Sequence, residues 1–243
     1  MSENTERTHE FEYPEESYSV KRIKRYLMEK GIDEGVIDTC IDRGILYESY
    51  PYHNVVYIGH DPQGNIKSAR YQSIYNDNIR GMVHGSDYNY GFGTECADSD
   101  ELHVFETPLE LLSYATLMKM KAYAWAGRNM VSLNGVHQSR VTGETVMPGV
   151  LKQYLLNHMG VKAICLHFRE SERGRAIAED IKRQLEAIPE AKYTVTKVGM
   201  KDALTVNEYL MKQKGMGDAR GVAEDKSYTR RTRGKGEKEP GDR

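Results

Sequence analysis

The sequence HVFETPLELLSYATL, residues 103–117, joins a strand pattern to a helix pattern. It opens with a short apolar strand at residues 103–105 and passes directly into a helix. Thr107 is suited to cap that helix, and Pro108 is suited to its first position. Leucine and alanine residues then recur at helical spacing and form one apolar face. This pattern predicts the first half of a strand–helix–strand unit.

The same pattern continues towards the C-terminus. Three more apolar strands are predicted at residues 131–133, 161–168 and 193–198. Further helices are predicted at residues 148–158, 172–187 and 206–214. Strands that alternate with helices indicate a parallel sheet covered on both faces. In such sheets, ligands bind beyond the carboxyl ends of the strands.

A smaller block of mixed character precedes this region, over residues 17–100. Two short helices are predicted near its start, and Asp33 is suited to cap the second. Two strands are predicted at residues 54–59 and 66–74, and a turn at residues 61–64 connects them. Residues 76–100 are rich in Gly, Asn, Asp and Tyr and predict either irregular loops alone or loops with one short strand. The block therefore predicts a small α+β module.

Both ends of the chain are predicted to be disordered tails, at residues 1–16 and 214–243. The first is acidic, and the second is rich in glycine and charge. Segments with so few large apolar groups cannot bury enough surface to offset the entropy of ordering.

Charge and composition exclude several classes of protein. The 34 basic and 36 acidic residues give a net charge of −2, which excludes a globally basic nucleic-acid-binding protein but not a local basic face. No apolar run approaches the roughly 20 residues of a membrane span, and the N-terminus does not resemble a secretory signal. Three widely spaced cysteines argue against a zinc knuckle or a disulfide framework. We therefore expect a cytoplasmic protein without a membrane partner.

Charged residues follow the predicted strand ends. Glu106 follows the first strand, residues 169–175 follow the third, and Lys201 and Asp202 follow the fourth. A carboxylate at the tip of a buried strand indicates a metal-binding acid cluster, because Mg²⁺ prefers oxygen ligands. Alternatively, Glu106 caps the following helix, where a negative charge is stabilising. The residues alone leave both interpretations open.

Six stretches of the chain resemble a known family: residues 26–49, 54–73, 84–92, 103–117, 131–136 and 164–185. They resemble the Toprim-like proteins of conjugative and other mobile elements. In these proteins a module of unknown function precedes a Toprim domain, which bacterial primases, topoisomerases and some nucleases share. The resemblance implies an α/β fold with a Toprim-like parallel sheet flanked by helices at residues 101–213, after an α+β module at residues 17–100. It also implies DNA or RNA as the partner, together with replication or transfer proteins of a mobile element.

The resemblance also implies site residues. The family has an acid/base glutamate at the end of the first strand, and Glu106 matches it. It also has an Asp-x-Asp pair for Mg²⁺ after the third strand. The gapless alignment of LHFRESERGR, residues 166–175, puts Arg169 and Ser171 at those two positions. Arginine repels Mg²⁺ and is placed to pair with Glu106, while serine offers only a neutral oxygen.

Two hypotheses follow from these replacements. In the first, the metal site is degenerate, Mg²⁺ binding is weak or lost, and the protein binds nucleic acid phosphate. The residues assigned to phosphate are Arg169, Arg173, Arg175 and Lys201. In the second, the protein is an active Mg²⁺-dependent nucleotidyltransferase or nuclease, with Glu106 as the catalytic acid/base. Its metal ligands are Glu106, Glu170 and Asp202.

Two other segments are candidates for nucleic-acid contact. The loop GSDYNYGF, residues 85–92, either offers tyrosines to the crevice for base stacking or connects the two blocks through aromatic anchors. Residues 226–235 carry five cations and no acid, and such a segment binds phosphate in a salt-dependent way or stays a solvated tail.

Overall fold

The computed structural model describes residues 11–96 and 98–216, so the predicted disorder of residues 1–10 and 217–243 lies outside the described residues. Over the described part, the first module has two helices and a four-stranded antiparallel sheet. The helices are α1 (Lys21–Glu29) and α2 (Glu34–Asp42). The strands, in sheet order, are β1 (Leu46–Glu48), β2 (Val55–His60), β3 (Ile66–Gln72) and β4 (Arg80–Met82).

The second module alternates strands and helices. Its elements are β5 (Gly93–Thr94), β6 (Glu101–Phe105), α3 (Pro108–Met120), β7 (Asn129–Ser132), α4 (Gly149–Asn157), β8 (Ala163–His167), α5 (Glu172–Glu186), β9 (Thr194–Lys197), a 3-10 turn (Lys201–Ala203) and α6 (Val206–Gln213). The sheet order is β5-β7-β6-β8-β9. Strands β6 to β9 are parallel, as the sequence predicted, and the short β5 pairs antiparallel with β7 at one edge.

Hydrophobic cores cover both faces of this sheet. On one face, Leu27 and Val36 of the first module share a core with Leu112 of α3 and Leu210 of α6. On the other face, a second core lies under α4 and α5. The first core joins the two modules, while their boundary at residue 100 stays a prediction. None of the helices in the described ranges is long and apolar enough to cross a bilayer.

Residues 11–16 differ from the prediction of a disordered tail, because they contact the first module. The backbone N–H of Tyr50 donates to the carbonyl of Glu15 at 2.7 Å. The hydroxyl of Tyr47 donates to the carbonyl of Pro14 at 2.8 Å. Composition could not reveal these contacts, because they use backbone carbonyls, which every residue carries.

The topology places a crevice at the carboxyl ends of the strands in the second sheet. From β6, the chain crosses to β7 on one side and then to β8 on the other. Helix α3 packs on one face of the sheet, while α4 packs on the opposite face. Strand order reverses beside β6, and such a reversal leaves room for a ligand at the carboxyl ends of the strands.

Candidate functional site

A crevice of ≈340 Å³ opens at the carboxyl ends of β6, β8 and β9. We call it the strand-end crevice. Both modules line it, with the residues Arg80, Glu106, Thr107, Glu110, His167, Phe168, Arg169, Val198, Met200, Leu204, Thr205 and Val206. The crevice therefore lies at the carboxyl ends of the strands, where the sequence predicted that a ligand would bind.

Glu106 lies in the crevice, directly after β6. Its Oε1 accepts a hydrogen bond from the backbone N–H of Arg169 at 3.0 Å, which ties the ends of β6 and β8 together. The cap of α3 is Thr107, whose Oγ1 accepts the backbone N–H of Glu110 at 3.3 Å. Thus the side chain observed as the cap of α3 is a threonine rather than the glutamate considered as an alternative.

Arg169 also lines the crevice, but its guanidinium does not form the expected pair with Glu106. Its Nη2 lies 3.6 Å from Oε1 of Glu208 on α6, and both side chains are about half exposed. An exposed pair at this distance contributes little to stability and is easily exchanged for another anion. The contact between Arg169 and Glu106 is made by the peptide N–H instead.

Ser171 holds the start of α5. Its Oγ accepts the backbone N–H of Gly174 at 3.0 Å and so caps the helix. A Cβ on Gly174 would lie 2.1 Å from the carbonyl oxygen of Arg169, so glycine is needed for this tight turn. The serine hydroxyl therefore makes a structural hydrogen bond at a position where the resemblance implies an aspartate.

Glu170 is not part of the crevice lining. Its Oε1 lies 2.8 Å from Nζ of Lys197, and its Oε2 lies 3.9 Å from Nη1 of Arg175. Two cations thus neutralise this carboxylate.

Asp202 is exposed and pairs with Nζ of Lys212 at 2.5 Å, and this ammonium lowers the pKa of the carboxyl below its usual range. Across the described ranges, no group of three His, Cys, Asp or Glu side chains is close enough to hold a metal ion. The structure therefore does not bring Glu106, Glu170 and Asp202 together. Because Glu170 and Asp202 are each paired with a lysine and neither lies with Glu106, these three carboxylates do not form a donor set that fits Mg²⁺.

The other predicted phosphate contacts lie around the crevice. Arg173 and Arg175 are exposed on the first turn of α5, and Lys201 is exposed on the 3-10 turn. None of the three is part of the lining. They form a basic rim next to Arg169.

Sequence reasoning missed two arginines from the first module. Strand β4 carries Arg80 into the crevice lining. On the adjacent strand β3, the Nη1 of Arg70 lies 3.4 Å from the carbonyl oxygen of Leu133, just beyond β7. Burial, together with the nearby charge of Arg80, lowers the pKa of Arg70. In the part of the chain that the structure describes, neither guanidinium lies within 4.0 Å of a carboxylate oxygen.

Glu110 joins the crevice to both modules. Its Oε2 accepts the backbone N–H of Asn207 at 3.0 Å, at the start of α6. Burial raises the pKa of Glu110 to about 7. The side-chain amide of Asn207 donates to the carbonyl of Lys30 at 2.8 Å and to the hydroxyl of Ser113 at 2.9 Å. These bonds connect α1, α3 and α6 at one point.

Two buried histidines lie beside the floor of the crevice. Nδ1 of His103 lies 2.9 Å from Nε2 of His167, and the side chains of Phe105 and Tyr114 pack against them. Nε2 of His103 lies 3.4 Å from Oε2 of Glu101. Desolvation lowers the pKa of both imidazoles.

The loop at residues 85–92 does not line the strand-end crevice. The carbonyl of Tyr90 accepts hydrogen bonds from Ser68 Oγ and Asn134 Nδ2, each at 2.6 Å, and Phe92 is buried in the core. Part of the loop lines a different cavity of ≈370 Å³. Of the two interpretations that the sequence left open, the structure agrees with a connector between the modules with buried anchors.

Comparison with known proteins supports the fold. Residues 25–97 match a family described as a protein of unknown function, DUF3991. The chain is 31% identical over 109 residues to an uncharacterized protein of Bacillus anthracis, and the match covers 40% of this chain but only 30% of that relative.

Solved primase structures are similar over most of the chain. The E. coli primase catalytic core has a TM-score of 0.53 at 14% identity, with 81% of this chain and 70% of that chain covered. A DnaG primase catalytic domain bound to ssDNA has a TM-score of 0.52 at 13% identity, with 80% and 68% covered. The primase fragment of the bacteriophage T7 primase-helicase has a TM-score of 0.50 at 18% identity, with 78% and 69% covered. The chain therefore has a primase-like fold with a Toprim-like domain.

Proposed function

We propose that this chain is a primase-like, nucleic-acid-binding protein of a mobile element that holds phosphate groups in the strand-end crevice and has a degenerate metal site. The observation that carries the proposal is the pair of arginines in the crevice lining. Arg80 comes from the first module and Arg169 from the second. Guanidinium groups bind phosphate through paired hydrogen bonds, and two of them from different modules suit a charged backbone.

The electrostatics of the first module support an anion at this place. Arg70 is partly buried and lies near Arg80. Its burial and the positive charge of Arg80 both disfavour the charged form of Arg70. A protein retains such repulsion at a cost in stability unless an anion relieves it. Arg70 does not line the strand-end crevice, so a phosphate bound there would relieve this repulsion only through its contact with Arg80.

The basic rim extends the proposed surface. Arg173 and Arg175 lie in the first turn of α5, whose N-terminus also favours a phosphate group, and Lys201 follows Met200 of the crevice lining. In this proposal Glu106 is a structural residue, because its carboxylate joins two strand ends.

A second candidate is an active Mg²⁺-dependent nucleotidyltransferase or nuclease with Glu106 as the acid/base. The position of Glu106 in the crevice favours it. Glu170 and Asp202, the other ligands of that hypothesis, are engaged by Lys197 and Lys212. We therefore prefer the binding protein with weak or lost Mg²⁺ affinity.

The resemblance to Toprim-like proteins of mobile elements also suggests the partners. We propose DNA or RNA as the ligand, replication or transfer proteins of a mobile element as further partners, and the cytoplasm as the location. The ssDNA in one similar primase structure makes a single-stranded oligonucleotide the first probe.

The test is the affinity for a labelled single-stranded oligonucleotide at fixed salt, measured by fluorescence anisotropy. We expect the double variant Arg80→Ala/Arg169→Ala to bind at least about tenfold more weakly than the wild type. The matched control is Arg22→Ala/Arg25→Ala, which removes the same charge from the exposed surface of α1. We expect the control to stay within about twofold of the wild type.

Two outcomes contradict the proposal. In one, the control loses as much affinity as the crevice variant, which would show that only net charge matters. In the other, a chain ending at Met216 loses binding while the crevice variant keeps it, which would assign binding to the basic segment at residues 226–235.

A further inference from the structure

A second groove lies on the first module, outside the strand-end crevice. It has a volume of ≈770 Å³, and its lining includes three tyrosines, Tyr52, Tyr71 and Tyr75, together with His53 and Ile79. We call it the tyrosine groove. Tyr52, Tyr75 and Ile79 are 74%, 72% and 53% exposed, so large side chains face solvent here. Exposed aromatic and apolar surface that is gathered in one groove is typical of a binding site.

A buried carboxylate fixes the orientation of the histidine in this groove. Nδ1 of His53 lies 2.7 Å from Oε1 of Glu48, which is only 1% exposed. A carboxyl group gives up its proton more readily than an imidazolium, so the proton of this hydrogen bond lies on Nδ1. Glu48 is therefore a positioning residue for the imidazole of His53.

The other ring nitrogen of His53 is available to a ligand. Nε2 makes no hydrogen bond to any of the described residues. It is not fully buried, because the side chain is 22% exposed and Nε2 is in contact with solvent. Since His53 lines the tyrosine groove, the groove combines aromatic faces with one positioned polar atom.

The tyrosine groove adjoins the strand-end crevice. Ile79 lines the groove, and the next residue, Arg80, lines the crevice. Arg80 begins β4, which is an edge strand, so a chain-like ligand can pass from one site to the other around it. Among the described residues that line the groove there is no lysine or arginine. The part of the ligand that enters the groove is therefore uncharged.

We propose that the tyrosine groove takes an unpaired base of the nucleic acid strand whose phosphates are held in the strand-end crevice. Bases are the uncharged part of such a strand, and any of them can stack on Tyr52 or Tyr75. Nε2 of His53 makes a hydrogen bond to the edge of the base, which is free only when the base is unpaired. This inference rests on the proposed function, because the contact with Arg80 brings the strand to the groove.

The experiment uses three labelled DNA probes of one length: a single strand, its duplex, and a strand in which abasic sugars replace all nucleotides. Fluorescence anisotropy at fixed salt gives the Kd of each. We expect the wild type to bind the single strand about tenfold more tightly than the abasic strand, because stacking is lost without bases.

Tyrosine variants assign this difference to the groove. Tyr52→Leu/Tyr75→Leu keeps apolar side chains but removes the rings, so affinity for the single strand should fall about tenfold. Affinity for the abasic strand and for the duplex should stay within about twofold, because neither offers an unpaired base. The matched control is Tyr88→Leu/Tyr123→Leu, since both tyrosines are 59% exposed and neither lines the groove or the crevice. We expect the control to bind like the wild type.

A histidine variant tests the polar contact. In His53→Asn, the side-chain amide lies near the position of Nδ1 and keeps a donor for Glu48, while Nε2 is removed. His53 has φ +54°, a conformation that asparagine adopts readily, so the variant should fold. We expect about fivefold weaker binding of the single strand and unchanged binding of the abasic strand. Unchanged binding of the single strand would overturn the role of Nε2.

The inference fails separately from the proposed function. Equal affinity of the wild type for the single strand and the abasic strand overturns it while the dependence on Arg80 and Arg169 stands. An equal loss in the Tyr88 and Tyr123 control overturns it as well, because exposed tyrosines in general would then bind the bases. If the wild type binds none of the three probes, the proposed function and this inference both fail.

Discussion

The start of α1 and the strand-end crevice both attract negative charge, but they differ in where the anion comes from. At α1 the chain supplies it. Glu48 is 1% exposed, and its Oε2 lies 3.2 and 3.4 Å from the backbone N–H groups of Arg22 and Ile23. Its Oε1 lies 2.7 Å from Nδ1 of His53. All of these partners belong to the first module, so this anion site is part of the fold.

In the crevice the charges are not satisfied in this way. Within the described part of the chain, Arg80 has no carboxylate within 4.0 Å, and Arg169 has only a long, exposed pair. The comparison indicates that an anion site filled by the chain stabilises the fold, whereas a site left open is available to a ligand. Substitutions at the start of α1 should therefore lower the stability of the fold, whereas substitutions in the crevice should lower the affinity for nucleic acid.

Replacing Glu48 should have the largest effect on stability. In Glu48→Ala, two helix N–H groups and His53 lose a buried partner, and we expect the free energy of unfolding to fall by about 3 kcal/mol. Urea denaturation at neutral pH measures the change. The counterpart, Arg80→Ala, should change stability by under about 0.5 kcal/mol. Equal losses in the two variants would show that Arg80 is a structural residue and would remove the contrast.

Glu110 should make stability depend on pH. Burial raises the pKa of Glu110 from its usual 4.5 to about 7, so the folded state holds the proton more tightly. Stability from this group is present at pH 4 and is lost as the pH rises towards and through 7. Compared with Glu110→Gln, the wild type should lose about 2 kcal/mol between pH 5 and pH 8. A constant difference between the two proteins over this range would contradict the assignment.

Placing aspartates at positions 169 and 171 should strengthen Mg²⁺ binding, by a smaller free energy than the two changes in stability above. Arg169→Asp/Ser171→Asp removes a positive charge beside Glu106 and adds two oxygen ligands, and aspartate also caps α5 well. We expect Mg²⁺ affinity to rise by at least about tenfold, or about 1.4 kcal/mol, in calorimetry. Arg173→Asp/Ala176→Asp is the matched control, because it makes the same change of charge at exposed positions of α5. A wild-type Kd of about 10 μM or tighter would contradict a degenerate site.

Local patterns explain why so much of the fold could be predicted. Asp33 caps α2, Thr107 caps α3, and apolar residues at helical or strand spacing mark the elements of the second module. Strands β1 and β4 have three residues each, which is too short to show a period. Their existence depends on pairing with β2 and β3, which no local pattern encodes.

The candidate site was harder to predict for the same reason. The strand-end rule led to Glu106 and Arg169, because both follow buried strands. The position of Arg80 depends on the pairing of β3 with β4 and on the packing of one module against the other. The sequence also suggested a pair of opposite charges between Glu106 and Arg169, whereas the observed bond uses the peptide N–H, which side-chain chemistry does not reveal.

Hydrogen–deuterium exchange, measured with and without a single-stranded oligonucleotide, tests directly whether the strand-end crevice holds the nucleic acid. We expect slower exchange at three segments around the crevice, residues 80–82, 166–175 and 198–206, and little change in α1. Slower exchange confined to residues 217–243, or to the outer surface of the first module, would contradict the claim that the strand-end crevice holds the nucleic acid.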